Sequence, residues 1–356
     1  MNVRARQPAV EDEASSISVS GNVTEAEWDG FVRNHPEGTI DHVWRWRTLF
    51  RDVFGHDSEY LAARRGGTVV GLLPLVKFRS RLFGRSLVSV PFLNYGGILV
   101  SEPSAVPLLL EHARQIAHQF NASHVELRHT RRQTTSLPHR DHKLQLRRPL
   151  PPSSDQLWSA LDKKVRNQVR KAQKDGLVGQ SGRAELVDEF YDVFSTNMRD
   201  LGTPVYSKRL FSETLRLFPQ EARVFIVRLG KKPIAASITI TLRDTALVPW
   251  ASSLRAYRQH CPNMLLYWSM LEHSVLAGMR VFDFGRSTAG SGTHQFKVQW
   301  GAEERPMPWE YLLLTRDAAP DHGPQNPRFA PFIEAWKRLP VAVTRRIGPW
   351  IVSNIP

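Results

Sequence analysis

The chain of 356 residues has one cysteine, Cys261, so no internal disulfide can form. That favours a reducing compartment. No stretch approaches the ~18 consecutive apolar residues of a membrane span. The N-terminal MNVRARQPAVEDEASSISVS lacks the apolar run of a signal peptide. These absences predict a cytoplasmic protein. There is no G-x-G-x-x-G and no Walker A sequence, which speaks against the standard dinucleotide and NTP loops. The histidines are scattered without ligand spacing, and no Ser/His/Asp order stands out, so neither a metal nor a resident cofactor is expected.

Acidic residues are also scarce: 34 against 48 basic ones, a formal charge of +14. This balance favours anionic partners such as nucleic acid, phosphorylated carriers or a membrane surface, without choosing among them. The length is enough for two cores, and the 41% hydrophobic content is ordinary for a globular protein.

What is present is a repeat. LAARRGGTVVGLLPL (61–75) aligns with FIVRLGKKPIAASIT (225–239), so Arg64 meets Arg228 and Gly66 meets Gly230. Each reads as two strands joined by a tight glycine turn. Downstream, 108–130 parallels 264–288: an apolar helix, a small-residue stop and a strand. The period is too long for a solenoid, whose repeats run roughly 20–50 residues. Two copies of one α/β domain are expected, over 21–150 and 151–318, with a site at their junction. Residues 1–20 read as a disordered N-terminus and 319–356 as a basic-apolar tail.

Within each copy the order is helices, strands, helix, strand. Hairpins imply antiparallel pairing and the intervening helix adds a crossover, giving mixed α/β architecture. Residues 131–155 read as loop, with PLPPSS as linker. One helix is expected from about Asp155 to Asp175. Leu157, Leu161 and Val165 would form its packing stripe, and Lys163, Arg166, Arg170 and Lys174 a basic face.

The densest chemistry lies in FDFGRSTAGSGTHQFKVQWGA (282–302). It is read as a Gly-rich loop whose backbone N–H groups suit a phosphate or an oxyanion. Arg286 and Lys297 supply cations there, and Gln295 a neutral donor. Asp283 is either a proton acceptor or a structural hydrogen-bond acceptor at a strand end. Asn263 reads as a helix cap that can also touch substrate. Trp250 and Tyr267 line a pocket or fill a core. Asn94 and Tyr95, beside Gly96 and Gly97, form a flexible polar-aromatic corner. Tyr206 offers a phenol to an acceptor.

Several phrases resemble known families. CPNMLLYWSMLEHSVLAGMRVFDFGRS, HQFKVQWGA and RNQVRKAQKDGL are similar to the acetyltransferase-like (GNAT) domain of the FemAB and BioF2-like families. LFGRSLVSVPFLNYGG, NMRDLGTPVYSKRLF, VPWASSLRAYR and FDFGRSTAGSGT resemble FemAB-like proteins associated with exosortase/PEP-CTERM systems, found beside exopolysaccharide genes in Gram-negative bacteria. The resemblance implies tandem GNAT-like domains of Fem type. It implies amine attack on an activated acyl carbon, with aminoacyl-tRNA or acyl-CoA as donor and an envelope or polysaccharide precursor as acceptor, and no DNA. It places Lys297 beside the acyl carbonyl and Arg286 on a phosphate, and it likens Arg166 and Arg170 to the basic helix joining Fem domains. The segment RAYRQHCPNM lacks the glycines of the CoA-binding R/Q-x-x-G-x-G/A phrase, and the helical arm of some Fem ligases has no counterpart. Alternatives are a CoA-dependent N-acetyltransferase and a non-catalytic module for an anionic glycolipid carrier. The tail over 320–356 would meet the inner membrane peripherally.

Overall fold

The computed structural model describes residues 16–81, 83–315, 319 and 329–355. The first half begins with β1 (Ile17–Ser20), α1 (Glu25–Asn34) and α2 (Trp46–Phe54). Thr24 starts α1 through a reciprocal capping box with Glu27. Then come β2 (Ser58–Arg65), β3 (Thr68–Ser80), β4 (Gly84–Val88), the short β5 (Leu99–Val100), α3 (Ala105–Gln119), β6 (His124–Arg128) and β7 (His139–Pro149). The second half holds α4 (Ser154–Ser159), α5 (Lys163–Lys174), β8 (Leu177–Gly182), α6 (Val187–Leu201) and α7 (Lys208–Leu217). It continues with β9 (Ala222–Leu229), β10 (Lys232–Leu242), β11 (Thr245–Ser253), α8 (Pro262–Leu276), β12 (Val281–Thr288), α9 (Gly292–Val298) and β13 (Glu303–Leu313). Two helices close the chain, α10 (Ala330–Arg338) and α11 (Val341–Val352).

The thirteen strands among the described residues join one sheet, in the order β1-β2-β3-β4-β6-β13-β7-β12-β11-β10-β9-β8, with β5 beside β3. The order is symmetric about its middle. Each half forms an antiparallel meander and then a parallel pair made by the crossover helix, β4 with β6 through α3 and β11 with β12 through α8. Each half also lends its last strand to the other. β7 pairs with β12, β13 pairs with β6, and the two lent strands pair with each other. The hairpin turns at Gly66 and Gly230, matched in sequence, occupy equivalent places between β2 and β3 and between β9 and β10.

One face of the sheet carries α1, α2, α6 and α7 over a single core that includes Trp28, Trp46, Phe190, Phe211 and Trp309. The other face has two cores, one under α3 and one under α4, α5 and α8.

Several expectations need correction. The 131–155 loop contains the eleven-residue β7. The single helix over 155–175 is two, because Asp162 caps a fresh start at α5 by accepting from the Lys164 N–H. Leu157, Leu161 and Val165 are nonetheless buried as expected, and Val169 joins them. The Gly-rich loop contains a helix, α9, capped by Ser291. Asn263 is not a cap: α8 starts at Pro262, Cys261 holds the cap position, and no side-chain cap bond forms. The disordered N-terminus expected over 1–20 lies outside the described residues up to residue 15. Residues 17–20 pair with β2 as an edge strand.

Candidate active site

The central strands β6, β13, β7 and β12 present one face to the space on the side of the sheet that carries α1, α2, α6 and α7. Side chains alternate along a strand, so β7 turns Leu144 and Leu146 toward one core and Lys143, Gln145 and Arg147 toward this space. β12 adds Asp283 and Arg286, β6 adds Glu126 and Arg128, and β13 adds Trp309.

Asp283 ties the two halves together. Its Oδ1 accepts from the Tyr95 hydroxyl at 2.8 Å and from the Gly285 N–H at 2.8 Å. Its Oδ2 accepts from Gln145 Nε2 at 2.8 Å and lies 3.8 Å from Arg147 Nε. Burial raises its pKa above the usual carboxylate value, opposed by these donors and by Arg147.

The corner at Asn94 and Tyr95 is held firmly rather than loosely. Asp41 Oδ2 accepts both of their N–H groups at 2.9 Å. Gly96 and Gly97 donate their N–H groups to the Arg128 carbonyl. A Cβ on Gly97 would fall 1.9 Å from His129 Cδ2, so only glycine fits. Burial pushes the Asp41 pKa up to about 7 and that of neighbouring His42 down to about 4.

β11 and β12 pair only between Thr245–Leu247 and Val281–Asp283 and then part. Where they part, Gly285 adopts φ 71° and the register against β7 shifts between Asp283 and Arg286. The carbonyls of Gly285 and Arg286 both accept from Lys297 Nζ, at 3.3 and 2.9 Å. Lys297 is buried, which lowers its pKa to about 8; Asp283 opposes that shift and Arg286 adds to it.

Arg286 lies in a cationic cluster. Its guanidinium stands 5.2 Å from the Trp309 ring centroid, and that of Arg128 stands 4.5 Å from the same ring. Arg128 pairs with Glu126 at 2.8 Å, while among the described residues no carboxylate pairs with Arg286. Nη1 of each arginine is buried without a hydrogen-bond partner. Burial lowers the Arg286 pKa to about 10 and the Lys143 pKa to about 8. The Tyr206 phenol is raised by burial and lowered by the fields of Arg286 and Arg128, which places it beside the cluster.

Thus Asp283, Arg286, Lys297, Asn94, Tyr95 and Tyr206 gather at the seam. Trp250 packs edge-on against Phe211 in the core on the same face. Tyr267 packs with Phe284, Phe296 and Trp300 in the core of the opposite face. Gln295 is exposed on α9, Asn263 is half-buried in the first turn of α8, and Arg166 and Arg170 lie on α5. None of these four is joined to the seam by a hydrogen bond or ion pair. The sequence reading missed Asp41, Arg128, Lys143, Gln145 and Arg147. For Lys143, Gln145 and Arg147 a signal existed: polar residues every second position around Leu144 and Leu146.

Among the described residues, no three His, Cys, Asp or Glu side chains gather as metal ligands. No helix among them is long and apolar enough to cross a membrane.

A family profile described as "Acetyltransferase (GNAT) domain" matches residues 159–298. No curated protein matches the chain by sequence. Its fold resembles the crystal structure of FemX, with TM-score 0.64, 14% identity, and coverage of 84% of this chain and 98% of that one. It resembles the C-terminal domain of a protein described as "Putative Lysylphosphatidylglycerol Synthetase" from Agrobacterium fabrum, with TM-score 0.54, 14% identity, and coverage of 80% and 90%. It also resembles a tandem GNAT protein from the clavulanic acid biosynthesis pathway, with TM-score 0.52, 14% identity, and coverage of 83% and 97%. The fold is that of tandem GNAT-like proteins of Fem type.

Proposed function

We propose that the protein is an acyl- or aminoacyltransferase forming an amide on an amine of a cell-envelope or exopolysaccharide-linked precursor. The GNAT-domain match supports an acyltransferase. The observation that carries the reading is Arg286, half-buried and with no carboxylate partner among the described residues, at the point where β11 and β12 part. In the reaction the amine nitrogen bonds to the acyl carbon and the carbonyl becomes an oxyanion. The C–O bond of an ester, or the C–S bond of a thioester, then breaks, and the amine proton passes to the leaving atom. A fixed guanidinium in a poorly solvated place stabilises that oxyanion. Arg286 and the Tyr206 phenol are the groups that face the substrate. Lys297 and Asp283 act as positioning residues, the first by clamping the carbonyls on either side of the Arg286 nitrogen, the second by holding Tyr95, Gln145 and Arg147.

The donor separates two readings. A CoA-dependent N-acetyltransferase agrees with the description of the matched profile. Against it, the turn before α8 spans Arg255–His260 without glycine, and α8 opens on Pro262, which has no N–H to offer a pyrophosphate. An aminoacyl donor is therefore preferred. We place the protein with exosortase/PEP-CTERM-associated FemAB-like proteins on the sequence phrases quoted above. We also infer peripheral contact with an anionic membrane. Phe332, Val343, Ile347 and Trp350 are exposed on the two C-terminal helices, with Arg338 and Arg346 exposed among them.

The test is to supply acetyl-CoA and aminoacyl-tRNA separately to the pure protein with amine-bearing envelope precursors and to detect the amide. Product from aminoacyl-tRNA supports the preferred reading, product from acetyl-CoA alone supports the second, and product from neither removes both.

A further inference from the structure

A cavity of about 340 Å³ opens at the seam, on the Arg147 side of the Tyr95–Asp283–Gln145 network. Four guanidiniums line it, from Arg131, Arg147, Arg243 and Arg305. Two carboxylates share it, Glu37 and Asp283. Glu37 is committed to Arg131 at 2.8 Å. Asp283 is committed to Tyr95, Gln145 and the Gly285 N–H. Arg147 gains little from it, at 3.8 Å, and its buried Nε has no hydrogen-bond partner. Arg243 spends its donors on the main-chain carbonyls of Arg33, His35, Pro36 and Gly38, which fix its position and leave its charge uncancelled. The nearest carboxylate to Arg305 is Glu303, at 3.4 Å. Within the lining four guanidiniums face two carboxylates that already have partners, an excess of two that Glu303 beside Arg305 offsets only in part, and this favours a bound anion.

We propose that this cavity binds a multiply charged oxyanion, the phosphate or diphosphate group of one of the two substrates. A single carboxylate cancels one charge, whereas a phosphate monoester or diphosphate cancels both. Guanidinium forks match phosphate oxygens in pairs. The register sets Arg147 across from Asp283 on one side and Glu303 on the other, and sets Arg305 across from Gln145. Two lent strands, one from each half, therefore build the floor. The assignment to a substrate rests on the acyltransferase reading; the anion binding itself does not.

The test is isothermal titration of the full chain with inorganic pyrophosphate, without any acyl donor, and with acetate in a parallel arm. Saturable binding is expected, with acetate at least about tenfold weaker. Arg147→Gln should weaken pyrophosphate binding by about tenfold or more, the loss of one charge-assisted contact. Arg147→Lys should recover part of it. Arg305→Gln changes a more exposed group that carries little of the fold, so it keeps the test informative if the Arg147 variants unfold. Lys171→Gln, at an exposed position of α5, should change nothing. No binding by the unmodified protein, acetate binding as tight as pyrophosphate, or unchanged affinity in Arg305→Gln together with every folded Arg147 variant overturns the site. Because no donor is present, a failed transfer assay leaves this result standing, and the reverse also holds.

Discussion

Tyr95 of the first half donates its phenol proton to Asp283 of the second at 2.8 Å, and both side chains are buried. Tyr95 is itself placed by Asp41, so a buried relay runs from Asp41 through the 94–95 backbone to β12. The seam is thus held by polar bonds as well as by exchanged strands.

Removing that phenol tests the seam. Tyr95→Phe leaves the ring and takes one donor from a buried carboxylate. The expected cost is about 1–3 kcal/mol of unfolding free energy, read from urea titration. A loss below about 0.5 kcal/mol would show that the bond contributes little.

The pH dependence of stability carries a second test. Asp41 titrates near 7 in the folded chain against an ordinary 3.8, so the folded state holds an extra proton between those values. Its contribution is therefore lost as pH rises through that window. His42 titrates near 4 against an ordinary 6.5, so the folded state rejects a proton, and stability rises with pH across 4 to 6.5. The two neighbours oppose each other. Asp41→Asn keeps a carbonyl oxygen for the Asn94 and Tyr95 N–H groups and removes only the first trend. The variant's unfolding free energy should climb more steeply from pH 4 to 6.5 than that of the unmodified protein. Parallel curves would contradict the burial of Asp41 as an acid.

Two glycines separate backbone strain from site geometry. Gly285 and Gly290 both have left-handed φ, 71° and 74°. A Cβ at Gly285 meets the Val248 carbonyl at 3.1 Å, while one at Gly290 meets nothing within 4 Å. Alanine at either should cost about 1–2 kcal/mol of strain. Only Gly285→Ala displaces Arg286, so only it should also lower the transfer rate, by about tenfold. Equal rates in the two variants would detach the bulge from function.

The C-terminal helices offer a surface test. α11 is fastened to α6 by Arg345, which donates to Asp192 and Ser195. Its outer side leaves Trp350 61% exposed, and α10 leaves Phe332 74% exposed. Phe332→Ser with Trp350→Ser should leave the melting temperature nearly unchanged and reduce co-sedimentation with phosphatidylglycerol vesicles several-fold. Undiminished vesicle binding would remove the membrane contact.

The hairpins around Gly66 and Gly230 were legible because their strands alternate or run apolar and end in glycine turns. The helices α3 and α8 were legible for the same reason, as apolar stretches with small-residue stops. β7 was not. Only Leu144 and Leu146 mark its packed side, and Lys143, Gln145 and Arg147 fill the other because they line the seam. The alternation is confined to residues 143–147 of the strand, and the HRDH before it is polar throughout, so the pattern is too short to stand out. Asp41 was hidden differently: its partners are backbone N–H groups more than fifty positions away, and no local spacing encodes such a contact. The exchange of β7 and β13 between the halves left no local trace either, since each strand pairs with segments far off in the chain.

Transfer to an amine, measured with Arg286 and Lys297 intact and altered, tests the central claim most directly. With aminoacyl-tRNA as donor and an amine-bearing precursor as acceptor, the unmodified protein should form an amide. Arg286→Ala and Lys297→Ala should each slow this by more than about tenfold, roughly 1.4 kcal/mol in the barrier. Rates within about threefold of the unmodified protein in both variants would contradict the placement of the reaction where β11 and β12 part.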